Sequence, residues 1–237
     1  MLISNNYSLK FTSRNNPIRD FKISTPMGEL EVKEFTPKDA QNRNKLRNLA
    51  KFFLDGFISN TNDPSFLQYK EPQNKRKYVN AINTFTDYYQ NVFNNDDGNL
   101  TVLVAKNKKG KIAGAVITNT MKEAGIEEKS TCYVDSIAVD SKYRRNKVGQ
   151  ILQDKAIMCS KDVYSDVFLV SDNMAVDFQL SNGFKKMEEN NLSEKQIIDI
   201  LADERIDYPD YVSFMYKKLP NAKDKTPWYE RIKLNIK

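Results

Sequence analysis

Apolar positions along the chain switch between two spacings. From Glu29 to Phe35 they alternate (Leu30, Val32, Phe35), which predicts a first strand. Thr36-Pro37-Lys38-Asp39 then predicts a helix start, with Thr36 as N-cap, Pro37 at the first helical position and Asp39 near the positive end of the dipole. Leu46, Leu49, Ala50, Phe53 and Phe57 continue its buried face at helical spacing. A second helix is predicted from about Gln73 to Phe93 on Val79, Ile82, Phe85, Tyr89 and Val92, and Asn94–Gly98 ends it. The connection Asp55–Pro72 between the two is long and aromatic (Phe57, Phe66, Tyr69), a length that is often functional or locally packed.

Leu100–Lys106 and Lys111–Thr118 read as strands, with the hairpin signal Asn107-Lys108-Lys109-Gly110 between them. Tyr133–Val139 is a further strand. From Val148 the period changes, and Val148, Ile151, Leu152, Ala156 and Cys159 fall on one helix face. Next come a strand at Tyr164–Val170, a short helix at Asn173–Asn182 and a strand at Phe184–Glu189. A helix opens with capping-box spacing at Ser193–Gln196 and runs to about Glu204, and Tyr211–Leu219 is the last strand. No proline interrupts the stretch between Pro72 and Pro209. This order predicts an α/β fold: a single domain over residues 29–219, with a mixed central sheet and helices on both faces. Residues 1–28 are read as an N-terminal extension whose apolar alternations, around Tyr7–Phe11 and Phe21–Ile23, either add a strand or drape over the body. Residues 220–237 form a basic C-terminal tail with Trp228 and Tyr229 as anchors.

Composition narrows the chemistry. The chain has no histidine, so Ser-His-Asp triads, Cys-His pairs and histidine metal sites are impossible within it, and no metal is expected. Two cysteines, Cys132 and Cys159, make neither a disulfide framework nor a zinc site and read as buried small hydrophobes. The net charge of +6 sits at the ends, +3 in residues 1–28 and +3 in residues 220–237, around a neutral body. Dispersed tail charge with no accompanying RNA- or DNA-binding motif argues for solvation rather than nucleic-acid binding. No apolar run is long enough for a transmembrane helix, and the N-terminus lacks the apolar core of a signal peptide, so no membrane contact and a cytoplasmic location are expected.

One junction stands out. Between the strand ending at Val139 and the helix beginning at Val148 lies Tyr143-Arg144-Arg145-Asn146-Lys147-Val148-Gly149. A helix N-terminus offers free backbone N–H groups and a positive dipole end, and three side chains here are cationic as well, so the loop reads as a place to hold a phosphate. The eight glycines never form G-x-G-x-x-G or G-x-x-x-x-G-K, so this junction is the one serious phosphate-binding candidate. Gly149 is expected to let the backbone approach a pyrophosphate that a Cβ would obstruct.

VDSIAVDSKYRRNKVGQIL resembles the acetyl-CoA segment of the GNAT (Gcn5-related) N-acetyltransferases, a strand followed by R/Q-x-x-G-x-G/A. Arg144, Lys147 and Gly149 occupy its defined positions, and Lys147 departs from the glycine. Downstream, SDNMAVDFQLSNGF resembles the family's N-x-x-A and Y-x-x-x-G-F: Ala175, Gly183 and Phe184 keep the spacing, with Asp172 at the asparagine, Asn173 beside it, and Gln179 at the tyrosine. The resemblance implies an enzyme that transfers the acetyl group of acetyl-CoA directly to an amine, of a small molecule or a protein, without a covalent enzyme intermediate. It implies that the backbone of Ile137, Ala138 and Val139 pairs with the pantetheine arm in a slot where the strand parts from Tyr164–Val170, and that a backbone N–H there holds the oxyanion. Arg144, Arg145, Asn146, Lys147, Val148, Gly149, Gln150 and Asn173 would then bind the cosubstrate. Arg145 and Lys147 either point outward or meet the adenosine 3′-phosphate.

Two protons need handling. A lysine-like amine with a pKa of about 10 must lose a proton before attack, and without histidine the base is a carboxylate or a water relay. By the resemblance Asp135 is the catalytic carboxylate; it either orders a water or binds the cationic acceptor, and as a plain strand-edge aspartate it would do neither. Gln179 cannot act as the acid for the leaving thiolate, which leaves water, Tyr164 or Tyr211. Two other readings stand beside the enzyme: a CoA-binding regulatory module without turnover, and a ribosome- or nucleic-acid-associated protein. The acceptor would be shaped by Asp55–Pro72 and Asn190–Asp210, whose Phe66, Tyr69, Asp63, Glu71, Asp199, Asp203 and Asp207 could receive a cationic amine. Oligomeric state is left open.

Overall fold

A computed structural model describes residues 20–96, 98–120, 131–159, 164–187 and 212–220. The readings at Tyr7–Phe11, the Ser193–Glu204 helix, the Asn190–Asp210 loop, Tyr211, Trp228 and Tyr229, and for the Cys159 side chain, lie outside the described residues.

Eight strands form one sheet: β1 (Phe21–Thr25), β2 (Gly28–Glu34), β3 (Thr101–Lys106), β4 (Ile112–Thr120), β5 (Thr131–Val139), β6 (Asp166–Asp172), β7 (Lys185–Lys186) and β8 (Val212–Lys218). Their order across the sheet is β1-β2-β3-β4-β5-β6-β8-β7. Every neighbouring pair is antiparallel except β5 with β6, which is parallel. The sheet is mixed and carries helices on both faces, as the apolar pattern predicts. It also reaches into the segment read as an extension, because β1 folds back on β2 through a tight turn at Gly28, whose φ of +108° favours glycine. β8 lies between β6 and β7, so the last described strand is not at the edge of the sheet.

The helices are α1 (Pro37–Ala40), α2 (Arg43–Ile58), α3 (Pro64–Leu67), α4 (Lys75–Asn94), α5 (Val148–Cys159) and α6 (Val176–Ser181). The single helix expected after Thr36 is broken in two. Thr36 and Asp39 do form a capping box, with the Asp39 N–H donating to Thr36 Oγ1 at 3.3 Å and the Thr36 N–H to Asp39 Oδ2 at 3.1 Å. Asn42 then competes for the backbone: its Oδ1 accepts the N–H groups of Asn44 and Lys45, both at 3.1 Å, and so caps a new helix.

Two cores flank the sheet. On one face Leu46, Leu49, Ala50 and Phe53 of α2 and Tyr89, Val92 and Phe93 of α4 meet Val102, Val104, Ala115, Ile117 and Ala138. On the other, Val148, Leu152, Ala156 and Ile157 of α5 meet Leu103, Ala105, Val116, Cys132 and Val134. Each fully buried Leu or Phe contributes roughly 1.5–3 kcal/mol, so these faces fix where β5 lies between the helices. The connection after α2 is locally folded: Asp63 caps α3, and Phe66 and Tyr69 pack against Leu54, Ile58, Ala81 and Ile82. Among the described residues no helix is long and apolar enough to cross a membrane.

Candidate active site

β5 is where the sheet departs from regularity, and it does so twice. On its β4 side the register runs Gly114↔Val139, Ala115↔Ala138, Val116↔Ile137 and Ile117↔Ser136, then jumps to Thr118↔Val134. Asp135 is the residue left over, a β-bulge. A bulge shifts the alternation of side chains by one. Cys132 and Val134 before it, and Ile137 and Val139 after it, lie on the α5 face. Asp135 and Ser136 therefore both turn toward α4. On its β6 side, β5 is paired over four positions, ending at Val134↔Leu169. From Asp135 to Val139 no described strand pairs with it there, while β6 runs on to Asp172 paired with β8. The two parallel strands part, and Asp135 stands at the apex of the gap.

Around Asp135 is a cluster that sequence reasoning did not assemble. Tyr88 of α4 donates its hydroxyl to Asp135 Oδ2, and Ser136 Oγ donates to Asp135 Oδ1 at 2.6 Å. Ser136 has one hydroxyl hydrogen, so at the 2.9 Å contact between Tyr89 and Ser136 it is Tyr89 that donates. Burial raises the Asp135 carboxyl above the usual aspartate range, against the opposing pull of the Ser136 and Tyr88 hydrogen bonds. Desolvation of its hydroxyl end first, then the Asp135 charge, pushes the Tyr88 phenol far up, so it stays protonated although the residue as a whole is partly exposed. Tyr89 lies on the buried face of its helix, as the spacing predicts. Its neighbour Tyr88, off that face yet aromatic, was the available signal.

The open end of the gap leads to the basic loop. There the backbone is left-handed at two non-glycine residues, Arg145 with φ of 64° and Lys147 with φ of 59°. Each costs about 1–2 kcal/mol for an L-residue. Lys147, at the motif's glycine position, thus takes a left-handed backbone of the kind glycine favours. The first intrahelical bond of α5 runs from the Ile151 N–H to the Lys147 carbonyl at 2.9 Å. The N–H groups of Val148, Gly149 and Gln150 precede it and stand at the positive end of the helix. Arg145 and Lys147 are exposed, and Asn146 braces the turn by donating to the Tyr143 and Arg144 carbonyls at 3.4 and 3.1 Å. Strained backbone, first-turn N–H groups and two exposed cations suit a pyrophosphate.

A model of the acetyltransferase (GNAT) domain matches residues 67–200. The chain belongs to the GNAT acetyltransferase family. No curated protein matches it. Among solved structures, an acetyltransferase of the GNAT family from Staphylococcus aureus Mu50 is 18% identical and superposes with a TM-score of 0.50 over 80% of this chain and 99% of that one, a likeness of fold. The GNAT domain of S. lividans PAT is 12% identical, with 84% and 97% of the chains covered and a TM-score of 0.48. A putative streptothricin acetyltransferase from Bacillus anthracis str. Ames, solved in complex with acetyl coenzyme A, is 20% identical, covering 52% and 65% at a TM-score of 0.36.

Several residues singled out on the GNAT motifs have other partners in the structure. The Arg144 guanidinium donates to the Val139 carbonyl at 3.0 Å, to Ser59 Oγ at 2.7 Å and to Asn60 Oδ1 at 3.4 Å, so it ties the end of β5 to the end of α2. Asn62 Nδ2 donates to Met174 Sδ at 3.1 Å, so the connection after α2 touches both lips of the gap. Ala138 faces α2, where a Cβ on Gly56 would stand 2.7 Å from its own. Asn173 Oδ1 accepts from Ser213 Oγ at 2.8 Å.

A Cβ on Gly149 would meet Phe178 at 3.0 Å and Val139 at 3.3 Å, so the missing side chain also makes room for the α6 ring. Gln179 is 2% exposed and accepts from Gln153 Nε2 at 3.2 Å, turned into α5. Tyr164 is buried in the α5 core. Asp63 caps α3, and Glu71 accepts from Gln73 and Asn74 at 2.9 and 3.0 Å.

Proposed function

We propose that the protein transfers the acetyl group of acetyl-CoA directly to the nitrogen of an amine. The observation that carries this is the parting of β5 from β6 after Val134 and Leu169, with a buried carboxylate at its apex and the strained loop at its open end. Acetyl-CoA supplies an activated acyl group. The chain's own part is to hold it and to manage protons. The backbone of Val148, Gly149 and Gln150, with Arg145 and Lys147, receives the pyrophosphate. The unpaired edge of Ile137, Ala138 and Val139 receives the pantetheine amides as a neighbouring strand would. Arg144, bound to Val139 and α2, holds the loop and the gap in register. Asp135, held above its usual pKa by burial, takes the proton that a cationic amine gives up, which fits a base better than an exposed aspartate does.

The absence of a titratable group at Gln179 motivates a second reading, a CoA-binding module without turnover. Calorimetry with acetyl-CoA and CoA, followed by thiol release in the presence of an amine panel, separates the two. The enzyme reading expects binding of both and amine-dependent release. Binding with no amine-dependent release overturns it in favour of the second reading, and no binding overturns both.

A further inference from the structure

The hydrogen-bond chain around Asp135 has two ends of opposite character. From Oδ1 it runs through Ser136 to Tyr89, which is 1% exposed, and stops in the core. From Oδ2 it runs through Tyr88, which is 44% exposed on α4. Among the described residues Tyr88 is therefore the polar link between the carboxylate and the outside. The described titratable groups that interact with Asp135 are Tyr88 and Tyr89 from α4, Tyr133 of its own strand acts on those two tyrosines, and no described cation pairs with Asp135.

Resting on the acetyltransferase reading, we propose that Tyr88 is a proton relay through which the acceptor ammonium delivers its proton to Asp135. An N–H of the ammonium points at the Tyr88 oxygen. That proton passes to the oxygen as the hydroxyl proton passes to Asp135 Oδ2. One N–H bond breaks, one carboxylic O–H bond forms, and Tyr88 ends neutral as it began. The amine is left with a free lone pair for attack on the acyl carbon. After attack the nitrogen loses its second proton to the departing thiolate, and Asp135 returns its proton to water along the same path. Tyr88 suits this because its phenol neither ionises nor needs to: it donates inward while its oxygen accepts from outside. The bulge makes the arrangement possible, since without it Asp135 and Ser136 would point to opposite faces.

The test uses Tyr88→Phe in the full chain, with acetyl-CoA and two small acceptors. Ethylamine is cationic near neutral pH and must be deprotonated; hydroxylamine is largely uncharged there and need not be. Wild type is expected to acetylate both, with an ethylamine rate that levels off at alkaline pH. Tyr88→Phe is expected to lose about a hundredfold or more with ethylamine and less than about threefold with hydroxylamine. Its ethylamine rate should keep climbing with pH toward the amine's own pKa, and its acetyl-CoA affinity should match wild type. Equal losses with both amines, or no loss with ethylamine, overturn the relay alone. A wild type that binds acetyl-CoA yet acetylates neither amine overturns the acetyltransferase reading and the relay with it.

Discussion

The two ends of the β5 gap are built in opposite ways. The loop end is one contiguous stretch, Arg144 to Gln150, and what it offers a ligand is mostly backbone: two left-handed residues and the first turn of α5. The apex is made of side chains from Tyr88, Tyr89, Asp135 and Ser136, brought together across 47 positions by α4 packing and one bulge. A backbone cradle tolerates changes of side chain as long as the conformation survives, and Lys147 holds a left-handed backbone without being glycine. A side-chain cluster at a bulge does not. Binding is thus expected to fall by only a few fold for each single side chain changed at the loop, and chemistry to be fragile at the apex.

The largest expected break is Asp135→Asn. With a cationic amine it should lower the maximal rate at least about a hundredfold, about 2.7 kcal/mol in barrier, as steady-state kinetics at saturating acetyl-CoA would read. Stability should move the other way with pH. Burial raises the Asp135 pKa in the folded state, so its contribution is fully present below the unfolded pKa and is lost as pH rises through the folded one. The difference in melting temperature between variant and wild type should accordingly shift in the variant's favour from about pH 4 to about pH 7. A difference independent of pH would contradict the raised pKa.

Next in size is Gly149→Val, which forces a side chain against Phe178 and Val139. About 1–3 kcal/mol of stability should go, measured by denaturant unfolding, and acetyl-CoA binding should go with it. Wild-type stability would show that α6 yields more easily than the contact distances imply.

The same contrast explains what could be read from the sequence. The strands, the α5 helix and the basic junction were legible because each is local: a period, a turn signal or a short motif suffices. The sheet's mixed character followed from their order. The bulge was not legible, since Tyr133–Val139 alternates acceptably without one and only pairing with β4 shows that Asp135 is supernumerary. The break at Asn42 depended on one side chain competing with the helix for its own backbone. At Gly149 the motif says that a Cβ is unwelcome, and only the fold shows that Phe178 of α6 is among the atoms it would strike. At Gln179 the motif position was legible, while the inward direction of the side chain was set by Gln153 on another helix.

Gln179→Ala sharpens that last point. It should cost about 1–3 kcal/mol of stability by stranding the Gln153 amide, yet change the maximal rate less than tenfold. A rate loss above a hundredfold with acetyl-CoA affinity preserved would bring Gln179 back into the chemistry. The smallest effect concerns the loop itself. Lys147→Gly relieves one left-handed residue and should stabilise the protein by about 1 kcal/mol, while acetyl-CoA affinity stays within about threefold. A larger loss would mean that the lysine charge, and not the backbone it sits on, holds the phosphate.

The division of labour along β5 is tested most directly by acetyl-CoA titration calorimetry on two variants side by side, Arg145→Ala/Lys147→Ala and Asp135→Asn. Removal of the two exposed cations should weaken binding about tenfold and flatten its dependence on salt, because those charges meet the phosphates partly in solvent. Asp135→Asn should bind as wild type does. Wild-type affinity in the double variant, or a comparable loss in Asp135→Asn, would contradict the account.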